Sequence, residues 1–204
     1  MILVVGEILF DIFPDSKKLG GAPFNFAYHL KKLGFDICFV SRVGKDDLGR
    51  EIIDFLELNG FDSEYIQKDS QHPTGTVQVN MNKDGSHTFS IIKNVAYDHI
   101  KWNENLCEVC GKVNQLFYTG TLIQREKNNA GLIRKIQDHL HRDTICFCDI
   151  NLRPSCYTQT TIENCLQNTD ILKINDEELN QVTLMGQVKT MTQDEKVRHL
   201  MSAY

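Results

Sequence analysis

An excess of positive charge is missing from this sequence: 22 Lys and Arg stand against 27 Asp and Glu, a formal charge of -5 over 204 residues. Nucleic acid therefore has no electrostatic footing as a partner, and a small-molecule site is the better expectation. Long apolar runs are missing too. Residues 1–5 are apolar but break at Gly6-Glu7, too short for a signal-peptide core and without its basic flank. No later run approaches the roughly 20 residues that cross a bilayer, so the chain is expected in the cytoplasm with no membrane partner. An even set of cysteines is lacking as well. The seven present (Cys38, Cys107, Cys110, Cys146, Cys148, Cys156 and Cys165) favour free buried thiols over disulfides. There is no Gly-x-x-x-x-Gly-Lys loop, no internal repeat and no low-complexity segment. The turn after the first apolar run, Gly6-Glu7-Ile8, is not the Gly-x-Gly-x-x-Gly of nicotinamide-dependent oxidoreductases, and that class is set aside.

What is present suits one globular domain: 41% AVILMFWYC and 24% charged residues, in a length that buries a substantial core. Short runs rich in Val, Ile, Leu and Phe at 3–5, 37–43, 115–118, 145–149 and 171–174 read as buried, mostly parallel strands. Helical patterns lie between them: 24–33 closed by Gly34, 48–58 closed by Gly60, and 126–140 with Ile133, Ile136 and Leu140 on one face. That alternation predicts a layered α/β sheet with helices on its faces. Residues 76–92 depart from it. Val77, Val79 and Met81, a turn at Asp84-Gly85, then His87, Phe89 and Ile91 alternate as in an antiparallel hairpin with one face covered. Such a hairpin does not join a parallel sheet easily. It reads as a flap over the sheet edge or against another subunit.

The run Gly20-Gly21-Ala22-Pro23-Phe24-Asn25 combines backbone without Cβ, a proline suited to a first helical turn, and an amide one turn in. The helix that follows presents free N–H groups and a partial positive charge, which suit hydroxyls or an anion. Asn25 both donates and accepts, as sugar hydroxyls require. Asp11, in the stretch that leaves the first strand, brings a carboxylate near the edge where open α/β sheets bind ligands. Taken singly, the same run is equally a tight turn capping a helix, and Asp11 a solvated loop acid.

The run with Phe26-Ala27, Leu30 and Leu33-Gly34 resembles the N-terminal signature of the ribokinase-like family, also called the phosphofructokinase B family. Gly6-Glu7 with Asp11 is similar to its first strand, and Arg42-Val43-Gly44-Lys45-Asp46-Asp47-Leu48-Gly49 to its second conserved stretch. Asp149-Ile150-Asn151-Leu152-Arg153-Pro154 resembles a segment of fructokinases and keto-deoxygluconate kinases, and Lys173-Ile174-Asn175-Asp176-Glu177-Glu178-Leu179 resembles the family's Asn-x-x-Glu motif. The resemblance implies a three-layer α/β/α fold with a mostly parallel sheet and a small antiparallel β lid, formed by about 76–92 with residues near 11–19. It implies a carbohydrate kinase that uses ATP and Mg2+. Asp11, Gly20, Gly21 and Asn25 would hold the sugar, Phe89 would come from the lid, and Arg153 would contact the substrate or its phosphate. Asn175 and Glu178 would act near the nucleotide phosphates, Glu178 indirectly on the magnesium. A homodimer through the lid is a further expectation. Read without the resemblance, 151–154 is a strand exit with a surface arginine and 175–178 an N-cap with acids in a first turn.

Family members run to about 300 residues, and their final third carries a Gly-Ala-Gly-Asp segment whose N–H groups and aspartate serve the phosphoryl transfer. That segment is absent from these 204 residues. The resemblance therefore implies a single incomplete domain over 1–204 that binds a sugar, has no catalytic residue of its own, leaves a sheet edge exposed and turns over no ATP. Fructose is the first expectation for the sugar, with keto-deoxygluconate beside it. A nucleoside kinase would need more aromatic groups near the lid than Phe89, and a catalytically silent sugar-binding module is the reading from another class. Cys107-Glu108-Val109-Cys110 has the spacing of a zinc or redox site, but Cys146-Phe147-Cys148 has only one intervening residue and lies on a core strand. His139 and His141 suit a helix C-terminus better than a metal.

Overall fold

The structure is a computed structural model that describes residues 1–81, 87–185 and 191–204; the expected turn at Asp84-Gly85 lies outside the described residues. The chain opens with β1 (Ile2–Val5), β2 (Leu9–Ile12), β3 (Lys17–Gly20), α1 (Ala22–Lys32), β4 (Ile37–Gly44) and α2 (Asp47–Leu58). It continues through β5 (Ile66–Asp69), β6 (Thr76–Met81), β7 (His87–Ile91), α3 (Glu104–Cys110), β8 (Leu116–Gly120) and α4 (Lys127–His139). The last elements are β9 (Ile145–Asp149), α5 (Gln159–Leu166), β10 (Ile171–Lys173), α6 (Asp176–Met185) and α7 (Gln193–Ala203). No helix among the described residues is long and apolar enough to cross a membrane.

Six strands form a parallel sheet in the order β10-β9-β8-β1-β4-β5. Successive residues of β1 point to opposite faces, as strand geometry requires. Ile2 and Val4 join Phe24 and Ala27 of α1 and Ile52 and Leu56 of α2. Leu3 and Val5 join Leu106 and Val109 of α3 and Ile133 and Ile136 of α4. Both faces are thus dry, which is why β1 and β4 read as unbroken apolar runs, and the result is the expected α/β/α stack. The start of α2 is fixed by Asp46, which accepts the Gly49 N–H at 2.8 Å. A third core joins α5, α6 and α7 to Cys148 and Ile150 at the end of β9.

A second sheet has the order β3-β2-β6-β7. The lid was expected to be antiparallel, and the structure corrects this to a mixed sheet. β2–β3 and β6–β7 are antiparallel hairpins, but β2 and β6 pair in parallel, with Phe10 opposite Thr76 and Ile12 opposite Gln78. The reason lies in the main sheet: β1 and β5 run the same way in it, and each continues into the lid. Val77 and Val79 are buried, while Phe89 is 56% exposed on the facing strand.

The lid's roots are fastened by polar contacts, most of them partly buried. Arg125 donates to Asp98 from Nε at 2.7 Å and from Nη2 at 2.6 Å, and Nη2 also donates to the Ile92 carbonyl at 2.8 Å, just after β7. Before β6, Thr74 donates its N–H and hydroxyl to Asp46 at 2.8 and 2.6 Å. All seven cysteines are free, five of them buried; Cys107 is exposed and Cys110 buried.

Candidate functional site

Two glycines let the exit of β1 and the entry of α1 come together. A β-carbon on Gly6 would fall 2.2 Å from Pro23 Cγ, and one on Gly21 would fall 2.5 Å from the Glu7 carbonyl oxygen and 3.4 Å from Glu7 Cγ. Gly21 also has φ of +116°, a value that L side chains rarely adopt. The Gly20–Gly21 turn therefore lies directly on Glu7. The neighbouring carboxylate is placed by strand pairing: Leu9 opposes Gly20 and Asp11 opposes Lys18, so that a β-carbon on Gly20 would lie 2.9 Å from Asp11 Oδ2.

Between this turn, the lid and the end of the main sheet lies a cleft of about 820 Å³, of ordinary size for a small-molecule site. Asp11, Gly20, Gly21, Asn25, Phe89 and Arg153 all line it. The sheet, the helix and the lid each contribute. Asp11 and Gly20 come from β2 and β3, which places Asp11 on the lid and not at the end of β1. Asn25 stands in the first turn of α1, its backbone N–H on the Gly21 carbonyl at 2.9 Å. Arg153 follows β9, where Asn151 and Ser155 take positive φ values of 33° and 61° and bend the chain. Burial raises the pKa of Asp11, and the nearby Arg153 guanidinium offsets only part of that rise. A carboxylate, an amide and a guanidinium around one cavity can hold several hydroxyls and an anionic group at once.

Asn175 and Glu178 are brought together, but not into the cleft. The Asn175 Oδ1 accepts the Glu178 N–H at 2.8 Å, and Glu178 Oε2 accepts the Asn175 N–H at 3.0 Å, a reciprocal cap on α6. Glu178 Oε1 accepts the Leu152 N–H at 3.0 Å. The pair thus ties α6 to the loop that carries Arg153. Each Glu178 oxygen thus accepts one backbone N–H and keeps a further lone pair. Among the described residues no group of three or more His, Cys, Asp and Glu is arranged to hold a metal ion.

Other lining residues stand outside the set that the sequence assigned to the site. Lys18 and Lys93 add positive charge, and Asn151 adds an amide. Glu7 is the most unusual. It is 3% exposed and Oε2 has no hydrogen-bond partner among the described residues. Burial pushes its carboxyl up to about 7, against the backbone N–H groups of Glu7 and Ala22, which lower it. Its signal was the acid in Gly6-Glu7, directly after an apolar strand. Asp149, from the same motif as Arg153, is occupied: Tyr118 donates its hydroxyl at 2.9 Å and Lys173 its ammonium at 2.8 Å.

Residues 5–202 match the family described as pfkB family carbohydrate kinase. A probable fructokinase of Arabidopsis thaliana is 25% identical over 201 residues, covering 90% of this chain and 62% of the relative. A fructokinase of Escherichia coli is 24% identical over 188 residues, covering 87% and 61%. The chain thus spans about three-fifths of the length of these curated relatives. Among solved structures, a sugar kinase of Pyrococcus horikoshii in complex with ATP is similar with a TM-score of 0.79 at 25% identity, over 91% of this chain and 67% of that one. A fructokinase of Xylella fastidiosa with bound ATP superposes with a TM-score of 0.82 at 21% identity, over 98% and 65%, and speaks for the fold alone.

Proposed function

From a chain that belongs to the pfkB family of carbohydrate kinases, we propose the sugar-binding part of an enzyme that phosphorylates a sugar hydroxyl with ATP, fructose being the first choice. The observation that carries this reading is the convergence of Asp11, Gly20, Gly21, Asn25, Phe89 and Arg153 on one cleft. Asp11 accepts from sugar hydroxyls, Asn25 donates to and accepts from them, and the bare backbone at Gly20-Gly21 lets the ring approach. Phe89 closes the cleft from the lid and keeps water from the acceptor hydroxyl. Arg153 takes an anionic group of the substrate or the transferred phosphate.

Asn175 and Glu178 act in this proposal by holding the Arg153 loop where the phosphate arrives. ATP and Mg2+ serve the complete enzyme, with Glu178 acting on the metal only indirectly, and no step is assigned to the metal. Without a Gly-Ala-Gly-Asp segment these 204 residues bind sugar and do not phosphorylate it. The proposal includes a cytoplasmic location and a homodimer through the lid, whose outer strands are β3 and β7.

Calorimetric titration of the chain with fructose, keto-deoxygluconate, ribose and adenosine tests the reading. Fructose should bind, and Asp11→Ala should abolish binding while leaving the fold intact. Binding of adenosine alone would overturn the sugar assignment, and binding of keto-deoxygluconate without fructose would move it to that acid. A coupled assay for ATP turnover should read zero, and sedimentation velocity checks the dimer.

A further inference from the structure

Glu7 is used by neither the fold nor the sugar contacts described above, yet it stands under both. Its backbone carbonyl and Cγ lie against Gly21. Its side chain lines the large cleft on one side and, on the other, a void of about 10 Å³ bounded by Tyr118, Thr121, Asp149 and Asn151. One carboxylate oxygen is buried without a partner among the described residues, an arrangement that costs stability and calls for a compensating role. Resting on the sugar-site reading, we propose that Glu7 is a positioning residue of that site, its buried carboxyl setting the Gly21–Ala22 floor against the end of β9 so that the floor meets the sugar hydroxyls.

The charged groups around Glu7 decide in which protonation state it does this. From β9, Asp149 raises its proton affinity; Arg125, before α4, lowers it. Tyr118 from β8 and Tyr97 face the same region, and burial raises the pKa of both hydroxyls, so they are neutral. Asp11, Lys18, Lys93 and Arg153 stand on the cleft side. Burial is the largest influence and Asp149 adds to it, so the uncharged acid is the stable form below neutral pH. Ionisation places an unpaired charge beneath Gly21 and beside Asp149. The nearest relief is water entering through the Gly21–Ala22 turn, which opens the floor.

The test compares the wild-type chain, Glu7→Gln and Glu7→Ala by fructose calorimetry from pH 6 to 8.5, with keto-deoxygluconate as the probe if fructose does not bind. In the wild type the Kd should rise by up to about tenfold per pH unit above 7. Glu7→Gln, which keeps the shape of the neutral acid, should bind as tightly as wild type at pH 6 and hold that affinity to pH 8.5. Glu7→Ala should bind weakly at every pH. A flat wild-type profile, or one that Glu7→Gln reproduces, overturns the proposal. A second readout needs no sugar: the 13C shift of the Glu7 carboxyl, assigned by its loss in Glu7→Gln, should titrate near 7 and carry the Gly21 and Ala22 amide signals with it. Titration near the ordinary 4.5, or amide signals that ignore it, also overturns the proposal. If no sugar binds while this titration is seen, the sugar reading fails and the role of Glu7 in setting the turn stands.

Discussion

The Asp11 carboxylate lies over Gly20 so closely that a β-carbon there would meet Oδ2 at 2.9 Å. The atom that would have to move is the end of a flexible side chain. Gly20→Ala should therefore unfold the chain little, within about 1 kcal/mol, yet push aside the carboxylate that holds the sugar. Calorimetry is expected to show fructose affinity reduced by about tenfold or more, the loss of roughly one charged hydrogen bond. Urea melts should show a nearly unchanged midpoint. Equal losses in both would mean that Asp11 is structural.

Gly21 should behave in the opposite way. Its φ of +116° and the Glu7 backbone oxygen 2.5 Å from any β-carbon leave nothing flexible to yield. Gly21→Ala is expected to cost about 1–3 kcal/mol for the backbone conformation alone, seen as a lower urea midpoint with sugar absent. Adjacent glycines in one motif thus divide into a ligand-clearance position and a folding position.

The contrast shows which parts of the site the sequence makes visible. Asp11, Asn25 and Arg153 could be named because they stand in motifs whose order along the chain matches a family, and all three line one cleft. Glu7 was quoted in the same motif without a role. A carboxylate after a strand reads as solvated, and only packing shows it buried with an oxygen unpaired. Asn175 and Glu178 present a spacing that serves a helix cap and a phosphate site alike, and the hydrogen bonds show the cap. The parallel pairing of β2 with β6 joins segments more than sixty residues apart, beyond the reach of local alternation.

Glu178 accepts two N–H groups from a nearly buried position, one of them from Leu152 in the strand exit before Arg153. Glu178→Ala should destabilise the chain by about 2–3 kcal/mol, two charge-assisted hydrogen bonds being lost. Hydrogen exchange is expected to speed up at the Leu152 and Asn175 amides before other regions. A uniform increase over the whole chain would place the residue in general stability and not in the fastening of the Arg153 loop.

Arg125 and Asp98 are 4% and 0% exposed and form a two-point ion pair at the lid's root. Removing one member leaves a buried charge unpaired. Arg125→Met should cost about 3–5 kcal/mol, and it also frees the Ile92 carbonyl that the guanidinium fixes. Asp98→Asn in the same background should recover part of that loss by removing the orphaned charge. A thermal-melt series over the four combinations checks both steps.

The proton on Glu7 gives the fold a definite pH dependence. Its folded pKa, about 7, lies above the ordinary 4.5, so its contribution is fully present below 4.5 and is lost as pH rises to about 7. At about 1.4 kcal/mol per pKa unit, the loss is roughly 3 kcal/mol. Asp69 acts with the opposite sign. Burial raises its pKa, but the Gln71 N–H, His72 and Arg42 outweigh burial and hold it well below the usual range, so its contribution is lost as pH falls below 3.8. Urea unfolding of the wild type between pH 4.5 and 8 should therefore show stability falling as pH rises toward 7 and then levelling. In Glu7→Gln the slope from this group disappears and the chain is more stable than wild type above pH 7, because the glutamine needs no proton to stay neutral under Gly21. A wild-type slope that survives unchanged in Glu7→Gln would assign the pH dependence to another group.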